Sequence, residues 1–197
     1  LGRDSGRDSD RWNARYAGDF TPSFEPHPLA VLALSMETPG GPVLDLACGT
    51  SGSVLLAAES GRCGQSGRSA VGVDVSDVAL KLLGAEVRRR GLGDRVGLVR
   101  ADLTEWRPER EAFAVVLCTG YWDRSLFPAA AQAVVPGGLL GWEALTLAAL
   151  DARPGMPADW CVRAGEPASL LPDDWDVVSE EDVPRRSRRR LLARKPR

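Results

Sequence analysis

The feature that most constrains this chain is an alternation of short apolar runs with segments of helical spacing. VLDLA at residues 43–47, AVGVD at 70–74, VGLVR at 96–100, FAVVLC at 113–118 and the run at 139–144 are too short for core helices. Continuous apolar runs of that length suit parallel strands covered on both faces. Residues 54–60, 77–90 and 126–134 between them read as helices, the second with Ser76 as N-cap and Gly91 as its stop. Upstream, LAVLALSM at residues 29–36 is apolar nearly all round and predicts a buried helix ended by Pro39, Gly40 and Gly41. Pro136, Gly137 and Gly138 predict a turn before the fifth strand. Beyond it, a Pro-rich stretch at 154–172 surrounds a short helix at 166–171, and residues 175–179 and 189–193 read as two strands paired in a hairpin. The expected fold class is α/β: a Rossmann-like, doubly wound, seven-stranded sheet, mostly parallel with an antiparallel C-terminal hairpin.

Length and composition bound the alternatives. The chain has 197 residues and a formal net charge of -2, enough for one core that buries roughly 70% of the unfolded surface without disulfide or metal staples. The longest apolar stretches, at 29–36 and 137–150, fall short of the roughly 20 residues of a membrane span, and no signal-peptide pattern opens the sequence. A cytoplasmic location and no membrane partner are therefore expected. Cys48, Cys63, Cys118 and Cys161 stand apart from one another and His27 is the single histidine, so no metal site and no disulfide framework are expected. Residues 1–10 repeat a polar GRDS motif and read as a disordered tail. Residues 11–197 form one domain, in which 11–28, with Trp12, Tyr16, Phe20 and Phe24 among prolines, read as an N-terminal lid segment.

In a doubly wound sheet the ligand lies outside the carboxyl ends of the strands, where strand order reverses. Asp45 stands near the end of the first strand, Asp74 at the end of the second and Asp102 just after the third. An acid at the second strand's tip suits a ribose, whose hydroxyls one carboxylate can accept. Asp102 with Leu103 suits an adenine. Asp45 beside a Gly turn would repel a pyrophosphate and favours a ligand carrying an amino or sulfonium group. The turn itself, ACGTSG at 47–52, lacks the G-x-G-x-x-G fingerprint of dinucleotide sites, which weighs against a nicotinamide-dependent dehydrogenase.

At this point the chain resembles the class I S-adenosylmethionine (SAM)-dependent methyltransferases. VLDLACGTSG at 43–52 is similar to their first motif, GVDVS at 72–76 to the second, ADL at 101–103 to the third, and FAVVLC with VVPGGLL to the fourth strand and the turn before the fifth. WNARY at 12–16, EPHP at 25–28, RSLFP at 124–128 and the terminal RRLLARKP resemble the tellurite/thiopurine-resistance-like branch. The resemblance implies SAM as cofactor. It implies that Asp45 and the backbone of Ala47, Cys48 and Gly49 receive the methionine part, Asp74 the ribose hydroxyls, Asp102 and Leu103 the adenine, Cys118 with Thr119 the sulfonium side, and that Tyr16 and Val75 also meet the cofactor. The chain departs from the family at Ala47 and Ser51, where glycine is common, and Ser51 reads as a one-residue insertion.

Methyl transfer needs proximity and orientation more than a catalytic triad. His27, with a side chain that titrates in the working range, and Tyr121 are the candidate proton acceptors. Tyr121 and Trp122, just past the fourth strand, are placed to line the acceptor site, and Arg124 to hold an anionic acceptor or to pair with a nearby acid. Eight of the thirteen residues from Arg185 to Arg197 are basic. This run reads as a polynucleotide patch or, better in a chain of slightly negative charge, as a solvated loop leading into an edge strand. The expected function is methyl transfer from SAM to a small-molecule acceptor, without a nucleic-acid partner. The alternatives are an RNA methyltransferase using the arginine cluster and a non-catalytic SAM-binding module.

Overall fold

The computed structural model describes residues 5–60 and 67–197; the glycine-rich loop around Cys63 lies mostly outside them. Seven strands form one sheet in the order β3-β2-β1-β4-β5-β7-β6. They are β1 (Val43–Leu46), β2 (Ala70–Asp74), β3 (Val96–Arg100), β4 (Phe113–Thr119), β5 (Val134–Leu145), β6 (Asp176–Val183) and β7 (Arg188–Arg194). The pairs β3-β2, β2-β1, β1-β4 and β4-β5 are parallel, while β7 runs antiparallel to both β5 and β6. The chain winds outward from β1 to β3 and then crosses back to β4, so the order reverses between β1 and β4. Register sets Leu46 beside Val73 and Cys118, and Thr119 beside Glu143, which brings four strand ends into one row.

The helices α1 (Ser5–Ala17), α2 (Pro28–Ser35), α3 (Ser53–Glu59), α4 (Asp77–Arg89) and α5 (Phe127–Ala133) cover the sheet. Leu29 and Ala33 of α2, Val54 and Leu55 of α3 and Leu80 and Leu83 of α4 build the core on one face. On the other, Trp122, Phe127 and Trp142 form a buried aromatic cluster with Leu44, Val116 and Leu140. None of the helices is long and apolar enough to cross a membrane.

Five expectations are corrected. Residues 5–10 are the first turns of α1, not a tail. The sequence is polar there because its partners are polar: Asn13 Nδ2 donates to Asp77 Oδ1 (2.8 Å), Ser76 Oγ donates to Asn13 Oδ1 (2.7 Å), and Ser9 Oγ donates to the Val75 carbonyl (3.4 Å). Ser76 thus caps α4, accepting from the Ala79 N–H (3.1 Å), and moors α1 to the same helix end. Helix α2 is only half buried, with Val31 and Leu32 46% and 45% exposed. The turn at 136–138 is an irregularity within one long β5, where pairing jumps from Phe113–Val134 to Val115–Leu139. The helix expected at 166–171 is a 3-10 turn, Ala168–Leu170. Finally, β7 is not an edge strand. It lies between β5 and β6, and its arginines face acids: Arg189 pairs with Asp182 (2.7 Å), and Arg190 with Glu181 (3.0 Å) and Glu143 (2.8 Å). The basic run is half of a cross-strand charge ladder whose other half is the acidic segment of β6.

Candidate cofactor and acceptor sites

Two adjoining cavities open at the strand ends, the smaller across the point where strand order reverses and the larger beside it. The smaller, about 230 Å³, is bounded by Ala47 after β1, Asp74 and Val75 of the β2 end, Asp102 and Leu103 after β3, Thr119 and Gly120 at the end of β4, and by Asp8, Trp12 and Tyr16 from α1. The larger, about 570 Å³, lies between α1 and the segments after β4 and β5. Trp12, Gly120, Tyr121 and Arg188 border both.

The turn 47–52 shapes the floor of the smaller cavity. Ala47 and Gly49 both have φ +52, a left-handed conformation that costs a residue with a Cβ about 1–2 kcal/mol. The Gly49 N–H donates to Asp74 Oδ2 (2.8 Å) and the Ser76 N–H to Asp74 Oδ1 (2.8 Å). Asp74 therefore ties the first turn to the second. Burial pushes its carboxyl up, against the lowering effect of these backbone donors. Tyr16 lies over Gly49 so closely that a Cβ there would stand 2.5 Å from its hydroxyl oxygen. Burial first, and then the Asp74 charge, pushes the Tyr16 phenol up to about 12, so it stays a neutral donor at working pH. The Ser51 N–H donates to the Cys48 carbonyl (2.9 Å), closing the turn.

Two acids here have unsatisfied acceptors among the described residues. Asp102 accepts from the Thr104 N–H (2.9 Å) and hydroxyl (2.8 Å) on Oδ1 alone, and its Oδ2 has no donor. Asp45 is fully buried with neither oxygen partnered. Burial, helped by the Asp74 charge, pushes it up to about 8. Buried acceptors left without donors are costly, and both call for a ligand or for a proton.

Of the expected cofactor residues, Tyr16, Ala47, Asp74, Val75, Asp102 and Leu103 border the smaller cavity. Asp45 does not; it sits beneath the turn. Cys48 and Cys118 are buried in the cores on opposite faces of the sheet: Cys118 by its place in β4, and Cys48 because it lies in the turn past the end of β1, after the left-handed Ala47. Neither thiol borders the cavity, and Gly49 contributes through its backbone and its room for Tyr16.

The acceptor-side residues divide similarly. Tyr121 borders both cavities, and its carbonyl is held by Trp142 Nε1 (3.0 Å). Trp122 shows an edge to the larger cavity but is 3% exposed and belongs to the aromatic core. Arg124 borders neither and pairs with the buried Glu166 (3.0 Å). His27 has a structural role. Its Nδ1 accepts the Leu29 N–H (3.1 Å), capping α2, and its Nε2 meets Glu143 Oε1 (3.2 Å). With Nδ1 accepting, Nε2 carries the proton, so neither nitrogen is open to take one. The remaining lining of the larger cavity, Arg11, Arg15, Arg153, Met156, Trp160 and Arg188, gave no signal in the sequence beyond Arg15 in the WNARY box and Arg188 in the basic C-terminal run. These residues come from three segments, the first more than a hundred positions from the others.

Against known proteins, residues 43–138 match the model of a methyltransferase domain, and no curated protein matches the chain. Among solved structures, geranyl diphosphate C-methyltransferase from Streptomyces coelicolor, with S-adenosyl-L-homocysteine bound, is 12% identical, with 97% of each chain covered and a TM-score of 0.66. Phosphoethanolamine N-methyltransferase 2 of Haemonchus contortus, in complex with SAM, is 15% identical over 95% of this chain and 56% of its own, TM-score 0.68. A structure describing conversion of a disulfide into a thioacetal group during echinomycin biosynthesis is 22% identical over 95% and 93%, TM-score 0.64. The chain thus has the Rossmann-like fold of these methyltransferase structures, and the stretch that matches the methyltransferase domain model, residues 43–138, holds β1 to β4 and the first part of β5.

Proposed function

We propose that the protein is a SAM-dependent methyltransferase acting on a small-molecule acceptor, with α1 and the following residues as a lid. The observation that carries this reading is the pair of acids at neighbouring strand ends, Asp74 and Asp102, facing one cavity where strand order reverses. Asp74 keeps acceptor capacity for a ribose hydroxyl, and the orphaned Asp102 Oδ2 suits an adenine amino group. Bound SAM supplies a methyl carbon activated by its sulfonium. The chain's part is to hold that carbon against an acceptor beside Tyr121 and to exclude water with Trp12 and Tyr16. Such orientation is worth roughly 7–11 kcal/mol of barrier, and no side chain of the site is required as a base.

The small-molecule reading gains support from the charge ladder, since Arg189 and Arg190 are committed to acids of the same hairpin rather than open to phosphates. Two of the similar structures also carry small acceptors in their names. The test is calorimetric titration with SAM, S-adenosylhomocysteine and NAD. Both sulfur nucleosides are expected to bind and NAD to bind at least tenfold more weakly. Asp74→Asn should weaken the sulfur nucleosides at least tenfold, because hydrogen bonds to a charged group contribute about 1.5–3 kcal/mol. Absence of binding by either, or an unchanged Asp74→Asn, refutes the assignment.

A further inference from the structure

The larger cavity carries a charge pattern that the cofactor leaves unused. Its walls present four guanidinium groups, those of Arg11, Arg15, Arg153 and Arg188, and no acid among the described residues that line it. Two of the four are compensated: Arg11 pairs with Asp8 (3.0 Å) and Arg188 lies 3.6 Å from Glu143. Arg15 and Arg153 have no carboxylate partner among the described residues. SAM brings one carboxylate, which a single guanidinium can hold in bidentate fashion. A cationic surplus therefore remains at the mouth of the cavity, where the exposed Arg15 and Arg153 are open to an anion. Arg188 feels the surrounding cations: its own burial first, and then the nearby Arg153 and Arg186, lower its affinity for its proton against the pull of Glu143.

The same cavity is walled by flat rings. Trp12, Tyr121, Trp122 and Trp160 line it, and the Arg11 guanidinium sits between two of them, 5.3 Å from the Trp12 centroid and 4.7 Å from the Trp160 centroid. Arg15 lies 5.5 Å from the Trp12 ring. Guanidinium planes stacked on indoles are held in orientation and keep their N–H edges for an anion. The volume of about 570 Å³ falls in the range of roughly 300–1,000 Å³ usual for small-molecule sites, with space for fused rings.

We propose that this cavity is the acceptor site and that the acceptor is a planar aromatic molecule bearing a carboxylate or a like anionic group, held by Arg15 and Arg153 between tryptophan walls. The proposal rests on the methyltransferase reading above, and its test separates the two. The protein is first saturated with S-adenosylhomocysteine, then titrated calorimetrically with 2-naphthoate and with its uncharged counterpart 2-naphthamide. The expected result is at least tenfold tighter binding of the naphthoate, a preference that shrinks to threefold or less in the Arg15→Gln/Arg153→Gln double variant. Arg110→Gln, at the opposite end of the sheet, should keep it. Equal affinities, no binding of either compound, or a preference that survives the double variant overturns the proposal while leaving methyl transfer intact. Failure of S-adenosylhomocysteine to bind in the first step instead overturns the methyltransferase reading on which it rests.

Discussion

Glu143 offers the sharpest test of how the C-terminal arginines are used. It is 2% exposed on β5 and accepts from His27 Nε2 (3.2 Å) and from Arg190 Nε and Nη2 (3.0 and 2.8 Å). Burial alone would raise its carboxyl, but the hydrogen bonds from His27 and Arg190 and the charge of Arg190 prevail and hold it at about 2. The fall from 4.5 to about 2 corresponds to roughly 3 kcal/mol, at about 1.4 kcal/mol per tenfold change in proton affinity. Removing one partner of a buried ion pair costs a similar 3–5 kcal/mol or so. Glu143→Gln should therefore lose about 3 kcal/mol at pH 7, a drop of roughly 6–12 °C in Tm for a chain of this size. The pH dependence fixes the mechanism. A carboxylate whose folded pKa lies below its unfolded one stabilises the fold fully above the unfolded value, and that contribution is lost as pH falls through the folded value. The gap between the native protein and Glu143→Gln should stay constant from pH 7 to about 5 and close between about 4.5 and 2. Urea unfolding of both proteins across that range measures it. A loss under 1 kcal/mol at pH 7, or a gap unchanged at pH 3, refutes the claim that the charge of Glu143 holds this cluster together.

The shared backbone conformation of Ala47 and Gly49 predicts opposite outcomes for two small changes. Ala47→Gly should be neutral or stabilise by up to about 1 kcal/mol in thermal melts, since relief of left-handed strain competes with the extra freedom of an unfolded glycine. Gly49→Ala should lower stability by about 1–2 kcal/mol. It should also weaken S-adenosylhomocysteine at least tenfold by driving Tyr16 off the turn; unchanged affinity would show that Tyr16 does not close the site. Asp45, held up to about 8 by burial and by Asp74, acts in the opposite sense to Glu143. Its unfolded form ionises first, so stability falls as pH rises from about 4 to 8, and Asp45→Asn should flatten that decline in urea melts between pH 5 and 9.

Much of this fold is written in local pattern. Strands β2 and β3 begin and end where their apolar runs do, and Ser76 caps α4 as its position before Asp77 suggests. The acids that face the smaller cavity were visible because strand ends converge in a doubly wound sheet whatever fills it. What stayed hidden depended on partners remote in sequence. The polar start of α1 looks unstructured until Asn13 and Ser9 meet residues 75–77, and His27 looks catalytic until Glu143 and the start of α2 occupy its nitrogens. The basic C-terminal run looks like a phosphate-binding patch until the acids of β6 are laid beside it. Composition and periodicity alone determined that this chain makes a parallel α/β sheet with acids at its carboxyl edge, because burial of short apolar runs has few solutions. Only the tertiary structure decided which charges are spent on the fold and which, like Arg15 and Arg153, are left facing a cavity. Charge compensation depends on distance in space, and that is set by packing between segments a hundred residues apart.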